Sequence, residues 1–314
     1  MPGSHGMLVN MQQHLIAPVL AFACLAGSTG RAVAQPVGVP SIATPQQAAA
    51  LLDQPGILVF HIGDKADYDK EHLPGARHLD LRTLYPPPAE GQLTLQLPAP
   101  AELESRLEAL GIGDKSAVLV YMGKDLVTQT TRFVFTLDHA GLGGQTVIMD
   151  GGLPAWKAAG LPVTSEVPPP AAPGTLSLKP RTGTVADLAA VKAAAGAPGH
   201  VVVDARATEF YTGQNDSKGR IPRPGHIAGA VSLPFSSFSR EDGTFKSARE
   251  VETILKDAGI TPGTKVITYC HIGQQATVPW LMARILGYDV QLFDGSYEEW
   301  ARTDDAPVKT GTTP

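Results

Sequence analysis

The chain has 314 residues, 43% of them apolar and 18% charged, a balance that fits a globular protein of about two domains rather than a disordered one. Net charge is −5 and no run of Lys or Arg occurs, which excludes the electrostatic footprint of a nucleic-acid or anionic-lipid binder. The two cysteines, Cys24 and Cys270, are too few for a disulfide framework.

Residues 15–26, LIAPVLAFACLA, form an apolar run of signal-peptide length, too short to span a bilayer. Ala-Val-Ala at 32–34 supplies a small-x-small cleavage site before Gln35, so residues 1–34 are expected to be a secretory leader. No Lys or Arg precedes the apolar run, and Arg31 follows it. Cleavage after Ala34 leaves Cys270 as the one cysteine of an exported, periplasmic protein with no stable membrane anchor.

The remainder is an internal repeat. ILVF (57–60), EHLPGARHLDL (71–81), LGIGDKSAVLVYM (110–122) and LGGQTVIMDGGLPAW (142–156) make the first copy. VVVDAR (201–206), GHIAGAVSLPF (225–235), AGITPGTKVITYC (258–270) and LGYDVQLFDGSYEEW (286–300) make the second. His72 falls on His226, Gly75 on Gly229, Asp150 on Asp294 and Trp156 on Trp300. The expected domains are 42–163 and 182–311, joined by a proline-rich linker over 164–181.

Runs such as VVVD, VITYC and VQLFD are continuously apolar, as strands are when both faces of a sheet are buried. AREVETILKDAG (248–259) carries helical spacing and ends on glycine. Both copies are therefore expected to be α/β, each a mainly parallel sheet with helices on both faces.

Cys270 ends one such strand, ahead of HIGQQAT and the helical stretch VPWLMARILG, where Pro279 sits near the first turn. The carboxyl end of a parallel strand is where ligands bind such sheets. Amides near a helix N-terminus favour a thiolate there, and Gly273 permits the tight turn. The matching residue of the first copy is Met122, which has no thiolate to offer. His61 stands at the place of Asp204 and Gly63 at that of Arg206, and the loop after Met122 is four residues longer before the next matching strand.

YCHIGQQAT resembles the active-site loop of rhodanese-type sulfurtransferases. GHIAGAVSLPF and EHLPGARHLDL resemble that family's second signature, and DGSYEEW and DGGLPAW its closing Asp-Gly-Gly segment. The resemblance covers about residues 42–310 and implies the chemistry. The Cys270 thiolate takes the outer sulfur of a small anionic donor as a persulfide and passes it to cyanide or a thiol. The implied donor is thiosulfate, with 3-mercaptopyruvate the alternative. No metal or cofactor is expected.

An anionic donor asks for positive charge, and the loop itself offers only His271. Gln274 and Gln275 complete the binding loop with Gly273. The resemblance places Arg206, in VVVDARATEF, near the substrate. Arg220, six residues before His226, is the second candidate and Arg223 the third, while an ion pair to Asp204 is the alternative role for Arg206. His226 reads as structural, because His72 persists in the copy without the cysteine.

Three other readings compete. A phosphatase or arsenate reductase of related fold needs an Arg six residues after the cysteine, where this chain has Ala276. A module that holds a persulfide or a partner without turnover shares all of these residues. A redox protein lacks a second cysteine to resolve a disulfide.

Overall fold

The computed structural model describes residues 38–124 and 127–314. The leader expected at 1–34, and Cys24 within it, lie outside the described residues.

Two copies of one α/β unit follow each other. The first runs β1 (Ser41–Ala43), α1 (Pro45–Leu52), β2 (Ile57–Ile62), α2 (Lys65–Lys70), β3 (Ala76–His78), α3 (Pro100–Ala109), β4 (Ala117–Met122), α4 (Val127–His139), β5 (Thr146–Met149) and α5 (Gly152–Ala158). The second runs β6 (Val185–Ala186), α6 (Leu188–Ala194), β7 (His200–Asp204), α7 (Thr208–Tyr211), β8 (His226–Ile227), β9 (Val231–Ser232), α8 (Ala248–Asp257), β10 (Lys265–Tyr269), α9 (Thr277–Ile285), β11 (Asp289–Phe293), α10 (Ser296–Arg302) and β12 (Val308–Lys309). The sheets share one strand order, β1-β5-β4-β2-β3 and β6-β11-β10-β7-β9, and every pairing within them is parallel. A short antiparallel pair, β8 with β12, ties the carboxyl terminus back to the second copy.

Strand residues alternate between two cores, as the pleat requires. In the second copy Val202 and Ile267 pack with Val191 of α6 and Trp300 of α10, whereas Val203 and Val266 pack with Leu255 of α8 and Leu281 of α9. The latter core does not stop at the domain boundary. Phe133 and Phe135 of α4 join it, and the Phe135 and Trp280 rings meet edge to face at 4.8 Å.

The expected helix over 248–259 forms as α8, its amino end closed by a capping box between Ser247 and Glu250. The 164–181 linker is extended, and Glu104, Glu108 and Asp114 of the first copy accept its amides at Leu178, Leu176 and Ser177. One expectation is corrected. The extra length after Met122 is helix rather than loop: α4 has 13 residues against nine in α9. Thr131 of α4 meets Thr277 of α9 at 2.7 Å, so the longer helix is the surface on which the second domain packs.

Candidate active site

Cys270 follows the last residue of β10, is 1% exposed and forms no disulfide among the described residues. Its own amide donates to Ser296 Oγ at 3.2 Å. Beyond it most carbonyls of the loop are taken. The oxygens of Cys270 and His271 accept from the Tyr297 and Glu298 amides, that of Gly273 from Arg132, and those of Gln274, Gln275 and Ala276 from the amides of Thr277, Val278 and Trp280. Among the described residues none accepts from the six amides of His271–Ala276. A loop at the amino end of α9 with six of its seven carbonyl oxygens taken, and its N–H groups unpartnered among the described residues, has the arrangement that can form a backbone nest for an anion.

Gly273 makes this path possible. Its φ is +77°, and a Cβ there would lie 2.8 Å from the Asp294 carbonyl oxygen. Gln274 donates through Nε2 to Thr128 Oγ1 of the first domain at 3.0 Å. Gln275 Oε1 and Trp280 Nε1 are buried without a partner among the described residues.

Arg206 is fully buried. Its Nε and Nη2 hold both oxygens of Asp204, the Nη2–Oδ2 contact being 2.5 Å, and Nη2 also donates to the Gly225 carbonyl. The guanidinium lies 3.9 Å from the Tyr297 ring centroid. Burial opposes its charge, and Asp204 more than offsets that, so its pKa stays above the ordinary arginine value. Tyr269 donates to the same carboxylate at 2.6 Å. Nη1 of Arg206 is left with no partner among the described residues.

Two candidates for positive charge sit otherwise than expected. Burial, and then the nearby Arg206, lower the pKa of His271 to about 4, and its ring packs edge to face on Phe210 at 4.5 Å. Arg220 does not join the loop. It is exposed and donates to the Ser217 carbonyl, because its spacing from His226 is spanned by a surface loop that says nothing about direction. Arg223 is spent on the carbonyls of Thr303 and Ala306. His226 stacks on Tyr211, with its two nitrogens against the carbonyls of Tyr211 and Thr313. His72 repeats this with Tyr68 and Glu166.

Several residues escaped sequence reasoning. Tyr269 was legible, since Tyr121 precedes Met122 in the same way. Ser296, Tyr297 and Asp294 lie in a recognised motif but carried no assigned role. Arg132 gave no signal, since two of its four partners lie in the other domain.

In the first copy the corresponding strand ends are neutral. His61 faces Tyr121 Oη at 3.0 Å, and Met122 presses on Gly152, where a Cβ would lie 2.4 Å from Met122 Cγ. A cleft of about 990 Å³ opens beside this strand end, lined by Gly63, His78, Arg82 and Lys124 of the first domain and by Gln274 of the Cys270 loop.

Residues 44–159 and 187–303 each match the model of the rhodanese-like domain. The chain belongs to the rhodanese-like family. It is 31% identical over 274 residues to a thiosulfate sulfurtransferase of Pseudomonas aeruginosa, covering 86% of this chain and 97% of that one. It is 29% identical over 278 residues to the sulfur carrier protein TtuD of Thermus thermophilus, covering 83% and 93%. Among solved structures, YnjE superposes with a TM-score of 0.77 at 24% identity over 86% of this chain and 68% of the other. EanB in complex with hercynine gives 0.77 and 24% over 87% and 69%. These two establish a shared fold.

Proposed function

We propose that this chain, a sulfurtransferase, moves sulfane sulfur through a persulfide on Cys270. The observation that carries the reading is the Cys270 loop, in which six successive amides, unpartnered among the described residues, follow a buried cysteine at a strand end. A relative named thiosulfate sulfurtransferase, matched over 97% of its length, supports thiosulfate as donor. The Cys270 thiolate attacks the outer sulfur of thiosulfate. The new S–S bond forms as the old one breaks, and its electron pair leaves with sulfite. The persulfide spreads its negative charge beside the free amides of 271–276. Cyanide or a thiolate then takes the outer sulfur, and the Cys270 thiolate returns.

Arg206 contributes the two N–H groups of its unpartnered Nη1 rather than a free charge, because Asp204 already neutralises it. Thiosulfate is favoured over 3-mercaptopyruvate, since a second arginine for the carboxylate was expected at Arg220, which is turned elsewhere. Domain one, with Met122 in place of the cysteine, shapes the site without chemistry of its own.

Incubation with thiosulfate should add ~32 Da, one sulfur atom, to the wild type and nothing to Cys270→Ser. Sulfur transfer at the wild-type rate by a folded Cys270→Ser protein would refute the assignment. We also propose export, on the apolar run at 15–26 and Ala-Val-Ala at 32–34. Amino-terminal sequencing of the native protein should begin near Gln35, and an intact residue 20 would exclude cleavage.

A further inference from the structure

The catalytically silent domain reaches into the Cys270 loop with one side chain. Arg132, on α4, is fully buried, and its guanidinium spends four contacts in four directions. Nε donates to Tyr85 Oη at 3.1 Å and Nη2 to the Leu95 carbonyl at 2.8 Å. Nη1 donates to the Gly273 carbonyl at 3.1 Å and lies 2.7 Å from Asp294 Oδ1. Two of these partners are its own domain's, and two belong to the catalytic domain.

The Gly273 contact matters most. Along 270–276 every occupied carbonyl but this one is held by a hydrogen donor of the second domain itself. Gly273 has no side chain and sits at φ +77°, so the peptide linking it to Gln274 is the easiest in the loop to rotate. If that peptide turned over, the Gly273 oxygen would replace the Gln274 amide in the nest. A negative sulfur would then meet a carbonyl dipole of the wrong sign. A guanidinium fixed by Tyr85, Leu95 and Asp294 holds the oxygen outward. The planar fork suits this, since a lysine cannot serve three separate acceptors and the Asp294 carboxylate at once.

We propose that Arg132 is a positioning residue for sulfur transfer: from the domain that lacks the nucleophile, it locks the Gly273–Gln274 peptide so that the loop's amides face the sulfur. This rests on the assignment of Cys270 as the reactive group. The same side chain grips the 85–99 segment through Leu95, whose backbone stands at φ +59°. Arg132 thus ties that segment and the catalytic loop to one point.

The test compares Arg132→Met, Arg132→Lys and Arg302→Ala in the full chain. Arg302 donates to the Gly91 and Gln92 carbonyls and pairs with Glu298, an interdomain contact that touches none of residues 270–276 directly. Iodoacetamide alkylation of Cys270 is followed against pH, and uptake of ~32 Da from thiosulfate is timed at pH 7. In Arg132→Met the alkylation midpoint should rise by about one pH unit and sulfur uptake slow about tenfold, with Arg132→Lys in between. Arg302→Ala should follow the wild type in both. If methionine at 132 prevents folding, Arg132→Lys against wild type carries the comparison. An unmoved alkylation profile in folded Arg132 variants overturns the proposal. So does an equal shift in Arg302→Ala, which would mean that any loosening of the interface has this effect. Alkylation needs no sulfur donor. A wild type that takes up no sulfur, with its profile still moved by Arg132→Met, would therefore unseat the proposed function and leave this inference standing.

Discussion

Cys270 and Met122 end equivalent strands, and the choice between them reaches the residue packed against each. Opposite Met122 stands Gly152 at φ +58°, with no space for a Cβ. Opposite Cys270 stands Ser296 at φ +52°, a conformation uncommon for a side chain of this kind. The smaller thiol leaves space for the serine, whose Oγ accepts from the Cys270 amide and donates to the Phe293 carbonyl at 2.8 Å. Ser296→Gly removes two hydrogen bonds, each worth roughly 1 kcal/mol, and relieves a left-handed backbone angle that glycine prefers, so the two effects largely offset. It should therefore fold with little change in Tm but take sulfur from thiosulfate about fivefold more slowly. Calorimetry and single-turnover mass spectrometry read the two effects. A large fall in Tm with unchanged sulfur uptake would make Ser296 a packing residue only. Sequence reasoning singled out Cys270 because the repeat supplies its own control at Met122. It missed Ser296 because a serine in place of a glycine declares no partner until the strand end is built.

At the scale of elements, β2 and β7 carry the contrast between the copies. The end of β7 holds an ion pair, Asp204 with Arg206, onto which Tyr269 of β10 donates. The end of β2 holds His61 and Tyr121, with Gly63 where the arginine would be, so both charges are gone together. Deleting one alone would strand the other in a buried site, at a cost of several kcal/mol. His61 is buried, and burial, followed by the neighbouring His78 and His72, lowers its pKa to about 4. The unfolded chain takes up this proton near pH 6.5, so it binds more protons than the fold between pH 6.5 and about 4. The stability that neutral His61 contributes is whole above that window and is lost as pH falls through it, by about 2 kcal/mol at pH 5. Denaturant titrations at pH 7.5 and 5 should show a smaller drop in a folded His61→Gln protein than in the wild type. Equal drops would mean that His61 does not carry the linkage. The strands themselves were legible, because a parallel sheet buried on both faces leaves unbroken apolar runs. The longer α4 was read as loop, because its extra residues mark an interdomain surface that periodicity within one copy does not reveal.

On the scale of the whole molecule, the two sheets are separate but the core is not. Leu103 and Leu107 of α3, Phe133 and Phe135 of α4, Leu255 of α8 and Trp280 and Leu281 of α9 belong to one continuous apolar cluster. Around it, Thr131 meets Thr277, Arg132 meets Asp294 and Gly273, and Asp150 accepts from the Phe245 amide at 2.8 Å as Asp294 does from that of Leu97. Each copy so extends a segment onto the other's motif aspartate. The repeat in the sequence announced two domains, and composition alone could not say that they share an interior. A shared interior has a thermodynamic consequence. Domains joined only by a linker unfold independently, whereas domains that bury one core together lose it together. The wild type should unfold in a single transition, with calorimetric and van't Hoff enthalpies that agree. Phe135→Ala removes a first-domain ring that packs at 4.8 Å on Trp280 of the second. It should cost about 3–5 kcal/mol. The loss should appear equally in a probe of each half, such as amide exchange in β4 and in β10. Destabilisation confined to β4, or a second transition in the wild type, would show that the cluster is two cores in contact rather than one.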